Sequence, residues 1–150
     1  MPQSATAPRP PSQHRASLRV PFRDVDMHGH VHNAMFLSYF EAAINDFLRD
    51  RGLAPHFDPA SAVQVYHVKK AELTFEAPAF FEDELQFRVR IARIGRSSLS
   101  YGGEIVRCAD ETLCATVVVV WVCVDPATRR PCPFPEATRL ALDQVASEPG

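Results

Sequence analysis

Residues 23–43 read RDVDMHGHVHNAMFLSYFEAA, and the rest of the chain is organised around this stretch. Its first half crowds aspartate, histidine, glycine and asparagine into ten positions, 24–33, and its second half is apolar with helical spacing. Ionisable groups beside a core lose hydration, so they persist mainly where they are paired or put to use. A helix start presents free N–H groups and a dipole that favours negative charge. We therefore expect a carboxylate next to a ready site for an oxyanion.

The composition is that of an ordinary globular protein. A length of 150 residues suits one domain, and a formal net charge of −2 gives no reason to expect nucleic acid or a membrane as a partner. The longest apolar run, residues 117–124, is far shorter than the roughly 18 residues needed to span a bilayer. The four cysteines lack CxxC spacing, which is typical of reduced thiols. We expect a cytoplasmic protein.

The ends of the chain differ from its middle. Residues 1–16 contain four prolines and almost nothing apolar, which predicts a disordered leader. This segment carries Arg9 and Arg15 and no acid, so a short organellar transit peptide is an alternative, although its prolines disfavour the amphipathic helix of such peptides. We expect a single domain over residues 17–145 and a tail over residues 146–150.

Hydrophobic periodicity predicts one long helix and five strands. A three- and four-residue spacing predicts a helix over residues 33–51, with Asn33 as its N-cap and Gly52 closing it. Alternating segments predict strands over residues 17–23, 63–75, 84–94, 98–108 and 112–124.

Further features of these segments predict how they are arranged. Pro21 indicates an edge or a strand end, the phase shift at 67–70 indicates a bulge, and the very apolar strand 112–124 is expected to be central and covered on both faces. Residues 54–60 are expected to form a loop, and residues 136–145 a short terminal helix. The successive strands predict an antiparallel meander on one helix, an α+β fold.

The string around the turn also resembles a known family. The matching residues are Asp24, Asp26, Gly29, His30, Val31, Asn33, Ala34, Tyr39 and Glu41. This pattern, followed by an aromatic-rich helix and four strands, resembles the hotdog-fold acyl-CoA thioesterases, and most closely the 4-hydroxybenzoyl-CoA thioesterase family. The resemblance covers about residues 17–124. It implies a hotdog fold, in which an antiparallel sheet of about five strands wraps around one long central helix.

The resemblance also implies an activity and an assembly. The expected reaction is hydrolysis of acyl-CoA thioesters to free acid and CoA, without a cofactor or a metal, since CoA is part of the substrate. Family members assemble as dimers and often as tetramers, with active sites between protomers, so we expect a homo-oligomer, with a homotetramer as the working assumption. The sequence leaves three questions open: which acyl group is preferred, whether the carrier is CoA or acyl carrier protein, and whether the assembly is a dimer or a tetramer.

Roles for individual residues follow from the same resemblance. Asp26 falls on the catalytic carboxylate, as nucleophile or general base, the backbone N–H of Asn33 falls on the oxyanion donor, and His30 matches a histidine of the family's turn. Gly29 lets the backbone approach the thioester, and Val31 is assigned with it to substrate binding. The small polar groups expected near the substrate are Ser97 and Ser98. Two departures, His32 where a second Asn is common and Phe36 where Tyr is usual, bear on the acyl preference.

The Asp/His cluster also permits metal-binding and purely structural interpretations. His28, His30 and His32 alternate with two aspartates and would share one face of a strand as metal ligands, but Gly29 breaks a strand and no distant His/Asp pair completes the set. Asp24 is better explained as a turn residue, and His28 and His32 as exposed on the turn. Glu41 on the helix is a reserve catalytic carboxylate.

Three other functions compete with hydrolysis. A hydratase or dehydratase of acyl thioesters uses a His beside the Asp, for which His30 is the candidate. A non-catalytic dimer that binds acyl thioesters and a metal-dependent hydrolase are the others. The arginines on strands 84–94 and 98–108 suit CoA phosphates, but a solvated sheet face explains them as well.

Overall fold

One long helix lies across one face of a five-stranded sheet in the computed structural model, which describes residues 13–148. In chain order the elements are β1 (His14–Arg19), a 3-10 helix (Phe22–Asp24), α1 (Asn33–Asp50), α2 (Ala54–Phe57), β2 (Val65–Phe75), β3 (Glu84–Ile94), β4 (Ser98–Arg107), β5 (Thr112–Val124) and α3 (Glu136–Ser147). The sheet has the order β1-β3-β4-β5-β2, and every neighbouring pair is antiparallel. The predicted α+β class is confirmed.

Most strand predictions are confirmed, and two of them hold to the residue. Strands β3 and β5 have the predicted bounds, and β2 shifts register between Val68 and Lys70, where the phase of its pattern predicted a bulge. Strand β1 is an edge strand, as Pro21 indicated, but it spans His14–Arg19 rather than residues 17–23. The chain turns at Pro21, which has no N–H for a ladder, and enters the 3-10 helix.

The sheet order corrects two predictions. Strands β3, β4 and β5 form a meander, but β2 pairs with β5 and not with β3, which follows it in sequence. Strand β5 therefore lies next to the edge strand, and only one of its faces is covered in a single chain. Val117 and Val119 are buried beneath α1, whereas Val118 on the outer face is 38% exposed.

The helices and the chain ends need smaller corrections. Residues 54–57 form the one-turn helix α2 within the predicted loop, and α3 extends the predicted terminal helix to Ser147. Residues 14–16, predicted as leader, belong to β1, and residues 1–12 of that prediction lie outside the described part. Across residues 13–148 there is no helix with the length and hydropathy needed to cross a membrane.

The buried face of α1 forms the core with the inner side of the sheet. It consists of Phe36, Tyr39, Phe40, Ala43, Ile44, Phe47 and Leu48. Phe40 is fully buried and packs on Gly103 of β4, where a Cβ would lie 2.9 Å from the Phe40 ring and 1.7 Å from the Arg88 carbonyl oxygen. Each such aromatic or aliphatic side chain contributes about 1.5–3 kcal/mol on burial. This packing holds α1 against the sheet and thereby sets where its N-terminus lies.

Candidate active site

The turn before α1 is closed by its own backbone. Val25 and Val31 pair as an isolated antiparallel bridge, and between them the N–H of Asp26 donates to the His30 carbonyl at 3.1 Å. The N–H of Gly29 donates back to the Asp26 carbonyl at 3.0 Å. Gly29 has φ +83°, the left-handed region that favours glycine, and no atom lies within 4 Å of the position a Cβ would take. The turn is therefore rigid in its backbone and open on its Gly29 side.

The Asp26 carboxylate is held at both oxygens. Its Oδ1 accepts a hydrogen bond from the His28 N–H at 2.8 Å, and its Oδ2 lies 3.2 Å from Nδ1 of His32. The backbone bond from His28 is the main cause that lowers the pKa of this carboxyl below its usual value. The lowered pKa means that Asp26 is ionised at neutral pH. Its side chain is 22% exposed, so the carboxylate remains accessible from solvent.

The first turn of α1 starts directly beside this carboxylate. His32 is the N-cap and Asn33 is the first helical residue, so the prediction that Asn33 caps the helix is wrong by one position. The cap is made by backbone alone: the His32 N–H donates to the Asp24 carbonyl at 2.9 Å, and the Met35 N–H donates to the His32 carbonyl at 2.9 Å. Within residues 13–148 the N–H of Asn33 has no acceptor. A donor of this kind is what an oxyanion site needs.

A buried pair anchors the turn to the helix from below. Asp24 is only 9% exposed, and its Oδ2 accepts a hydrogen bond from the Tyr39 hydroxyl at 2.5 Å. Burial, together with this bond to a carboxylate, raises the pKa of Tyr39 well above its usual value. Asp24 therefore lies in the turn, as predicted, and in addition its side chain joins the turn to α1 and its carbonyl accepts a hydrogen bond from the N-cap residue.

Three other predicted residues lie in or under the same turn. The His30 ring stacks on the His28 ring at 6.0 Å and does not contact Asp26. Val31 is fully buried, and its N–H donates to the Ala79 carbonyl at 2.8 Å, so it supports the turn and offers no N–H to a ligand. His32 is exposed, as expected, and its ring also contacts the Asp26 carboxylate.

Ser97 and Ser98 lie far from this turn in the same chain. The turn bonds to Ala79, next to the start of β3, whereas the serines follow the far end of that strand. Eleven strand residues span about 33 Å. A single chain therefore does not bring the serines to Asp26.

Glu41 lines a separate cavity of about 460 Å³ between α1, α2, β2 and β5. The aromatic part of its wall consists of Phe57, Tyr66 and Trp121, whose rings contact one another. Glu41 lies two helical turns from Asn33, so it faces this cavity rather than the Asp26 turn.

Two arginines of the sheet strands are paired with carboxylates. Arg90 pairs with Glu104 at 3.0 Å, and Arg107 binds Asp110 through two nitrogens, each at 3.0 Å. In the part of the chain that the structure describes, no three His, Cys, Asp or Glu side chains are grouped so that they would hold a metal ion.

Comparison with known proteins places this chain in a family. The thioesterase-like superfamily matches residues 20–142. This chain belongs to the thioesterase-like superfamily. The acyl-CoA thioester hydrolase YbgC of Escherichia coli O157:H7 is 30% identical over 123 residues, which cover 82% of this chain and 90% of that protein. The predicted family and its enzyme class, thioesterase, are thereby confirmed at the level of the superfamily.

Two solved structures share the fold of this chain. The 1,4-dihydroxy-2-naphthoyl-CoA thioesterase Slr0204 from Synechocystis superposes with a TM-score of 0.81 at 20% identity, covering 91% of this chain and all of that one. SAV2348 from Staphylococcus aureus, solved in complex with CoA, gives a TM-score of 0.80 at 18% identity and covers 98% of this chain and 90% of its own. The predicted hotdog fold is confirmed.

Sequence reasoning missed two contacts that shape the site. The bond between Tyr39 and Asp24 joins residues fifteen positions apart, and the contact between His32 and Asp26 joins residues six apart. The pattern offered one signal for the first contact, since both residues belong to the matching string. It offered none for the second, because which histidine of the three faces Asp26 depends on how the turn closes.

Proposed function

We propose that this protein hydrolyses acyl-CoA thioesters to a free acid and CoA, with Asp26 as nucleophile or general base and the Asn33 N–H as oxyanion donor. The observation that carries the proposal is an ionised, accessible carboxylate fixed beside a helix N-terminus whose first N–H has no acceptor within residues 13–148. The relative from Escherichia coli is an acyl-CoA thioester hydrolase, which supports the choice of an acyl-CoA substrate.

The proposed site has the groups that thioester hydrolysis needs. The thioester carbonyl oxygen would point at the start of α1, where a fixed backbone donor stabilises charge as it develops; losing such a donor typically costs about 10²–10³ in rate. Asp26 would either attack the carbonyl carbon, forming an anhydride that water then cleaves, or take a proton from an attacking water. In both routes the C–S bond breaks and the thiol carries away one proton. The new oxygen of the acid comes from water when water attacks the acyl carbon, and from Asp26 when water cleaves the anhydride at the Asp26 carboxyl carbon, which then keeps water's oxygen.

We propose that the working unit is a homodimer joined through the free edges of β2. This edge strand leaves Val65, Val68 and Phe75 exposed at 42%, 51% and 47%, and its outer N–H and C=O groups face no strand within residues 13–148. An unpaired edge of this length is a template for pairing with a second copy. Antiparallel pairing of two β2 strands would set the Ser97–Ser98 end of one protomer alongside the Asp26 end of the other, which supports these serines as the partner's contribution.

A homotetramer is the extension of this assembly that the outer sheet face supports. Val118 is 38% exposed there, and Val120 and Val122 beside it are half-buried in the single chain. An apolar strip on an otherwise charged face is typical of a contact surface. Light scattering coupled to size exclusion would report a mass near four times 16.7 kDa for the tetramer and near twice that value for the dimer.

The test of the activity is thiol release, followed with a thiol-reactive dye over a panel of aromatic, branched and straight-chain acyl-CoAs. Wild type should release thiol from at least one substrate, and Asp26→Asn should lower kcat/KM by at least about 10²-fold. Asp143→Asn on α3 is the matched control, because it makes the same chemical change on a different element from the turn. Hydration of an enoyl-CoA without thiol release would favour the hydratase alternative, and stabilisation by acyl-CoA without turnover would favour a binding dimer.

A further inference from the structure

Two of the four free cysteines face each other at the end of β5. The Sγ atoms of Cys123 and Cys132 lie 3.6 Å apart. The two residues stand opposite each other in a short hairpin, because Val124 and Pro131 form an antiparallel bridge and the Cys132 N–H donates to the Cys123 carbonyl at 3.0 Å. Opposite residues of an antiparallel pair have Cα atoms about 4.5–5.5 Å apart, which is within the range that a disulfide spans. The sulfurs need to approach by only about 1.5 Å to bond.

The hairpin itself is held by hydrogen bonds that do not involve the thiols. The Asp125 N–H donates to the Arg130 carbonyl at 3.0 Å, and the Arg129 N–H donates to the Asp125 carbonyl at 2.8 Å. The Asp125 carboxylate accepts the N–H groups of Ala127 and Thr128 at 2.8 and 3.0 Å. The backbone therefore keeps the two cysteines opposite each other whatever the state of their sulfurs.

The two thiols differ in their access to solvent. Cys123 is fully buried, whereas Cys132 is half-buried. Burial, and then the neighbouring Cys132 thiol, raise the pKa of the Cys123 thiol above its usual value. A buried thiol that keeps its proton reacts slowly with an oxidant from solvent. Cys132 is therefore the sulfur that a small oxidant reaches first, and Cys123 is placed to react with it afterwards.

We propose that Cys123 and Cys132 are a redox-active pair that hydrogen peroxide converts into a disulfide. The Cys132 sulfur attacks one peroxide oxygen and breaks the O–O bond, which leaves a sulfenic acid at Cys132 and releases one water. The Cys123 sulfur then attacks the Cys132 sulfur, and its proton leaves with the hydroxyl group as a second water. The two thiols together lose two protons and two electrons to the peroxide. A dithiol reductant reverses the reaction by thiol–disulfide exchange.

The disulfide would fasten the C-terminal segment to β5. Two residues after Cys132, the Phe134 ring stacks on the Tyr66 ring of β2 at 6.2 Å. Further along, Thr138 of α3 contacts Nδ1 of His56 of α2 at 2.8 Å. A bond at the root of this segment restricts the unfolded chain and so stabilises the folded one. We expect oxidation to raise Tm by about 5 °C.

The other two cysteines provide internal references. Cys114 is separated from Cys123 by nine positions along β5, which is about 30 Å of extended strand. Its Sγ lies 3.7 and 3.8 Å from the carbonyl oxygens of Thr112 and Pro78. Cys108 follows β4 and is half-buried, as Cys132 is. Cys108→Ser is therefore the matched control, because it removes an equally accessible thiol outside the pair.

The first measurement is the location of the disulfide. The full-length protein is treated with a few equivalents of hydrogen peroxide, and its remaining thiols are blocked after denaturation. Free thiols should fall from four to two, and dithiothreitol should restore all four. Trypsin and chymotrypsin, which cut after Arg129 and Trp121, should release residues 122–129 linked to residues 130–139. Cys108→Ser should give the same linked peptides.

The second measurement tests the order of the two steps. Cys123→Ser removes the second sulfur, so a sulfenic acid should accumulate at Cys132, where dimedone traps it. Cys132→Ser should leave Cys123 unlabelled under the same treatment, because that thiol is buried. The rise in Tm on oxidation should be absent from Cys132→Ser and present in Cys108→Ser. Far-UV circular dichroism of each untreated variant checks that it is folded.

The outcomes decide the inference without any assay of turnover, so it stands or fails independently of the proposed hydrolysis. Linked peptides in wild type and Cys108→Ser, with dimedone labelling confined to Cys132 in Cys123→Ser, support it. Four free thiols after treatment, a disulfide between two chains or through another cysteine, or over-oxidation of Cys132 without a disulfide overturns it. An unchanged or lower Tm in the oxidised wild type overturns the stabilising effect.

Discussion

Two aspartate–histidine pairs lie near opposite ends of α1, and they differ in what surrounds the imidazole. At the N-terminus, His32 meets Asp26 at 3.2 Å with 59% of its side chain exposed. Toward the other end, His14 of β1 meets Asp46 at 2.6 Å with only 11% exposed. The His14 ring also lies 5.9 Å from the Phe47 ring and 3.6 Å from a second carboxylate, Asp50.

The number of partners separates the two roles. Both nitrogens of His14 face carboxylates, so this ring links the edge strand β1 to α1 and has no nitrogen left for a substrate. His32 keeps one nitrogen open and stands beside a helix start with an unused donor. The same two residue types thus make a structural link at one end of the helix and a contact inside the candidate active site at the other.

The largest expected difference between the two pairs is in rate. Asp26→Asn removes the proposed nucleophile or general base, and it should lower kcat/KM by at least about 10²-fold. Asp46→Asn makes the same change at the other pair and should leave kcat/KM within about threefold. Thiol release at one acyl-CoA, measured for both variants side by side, checks this. Equal losses in the two variants would show that the far pair acts on the site and would end the distinction drawn here.

The next effect concerns the anchor under the turn. Tyr39→Phe removes the hydroxyl that donates to the buried Asp24 carboxylate, and leaving a buried acceptor unpaired costs about 1–3 kcal/mol. Because Asp24 also holds the His32 N–H, the turn should loosen and kcat should fall about tenfold. Urea unfolding and thiol release measure the two losses. If stability falls while kcat is unchanged, Asp24 stabilises the fold without positioning the site.

His14→Ala should affect stability alone. It removes hydrogen bonds to carboxylates and the contact with Phe47, at a cost of about 1–2 kcal/mol because the pair is partly exposed. Denaturant midpoints with unchanged slopes would report this loss. We expect kcat/KM at neutral pH to match wild type, and a large drop in rate would place β1 in the function of the site.

The smallest expected effect is the pH dependence of the structural pair. The bond from His14 is the main cause that lowers the pKa of Asp46 below its usual 3.8. A carboxyl with a lowered folded pKa contributes stability that is fully present above its unfolded pKa and is lost as the pH falls through the folded value. The Tm difference between wild type and Asp46→Asn should therefore shrink as the pH falls below the usual pKa of the carboxyl, 3.8. A difference that grows on acidification would contradict this sign.

Some of the site was predictable because its signals are local. The Asp/His/Gly turn, its place at the start of a helix and the positive φ of Gly29 follow from short-range chemistry, and Asp26 lies in that turn beside the start of α1. The hidden parts depend on burial and direction. Asp24 looked like a turn residue because aspartate favours turns anywhere, and only the packing of α1 puts Tyr39 above it. Likewise, His14 falls within residues 1–16, which the sequence predicts as a leader, and only the position of β1 beside α1 brings it to Asp46.

The amino-acid sequence by itself determined the strands β3 and β5, the long helix α1, the bulge in β2 and the family. Each of these depends on periodicity or on a motif along a continuous stretch of the chain. Only the tertiary structure decided that β2 joins β5, that β5 is covered on one face, and that His32 rather than His30 meets Asp26. Strand order is set by contacts between distant segments, and a side chain's direction in a tight turn is set by how the backbone closes. Local spacing determines neither strand order nor side-chain direction, and the three histidines of the turn therefore have three different surroundings in the structure.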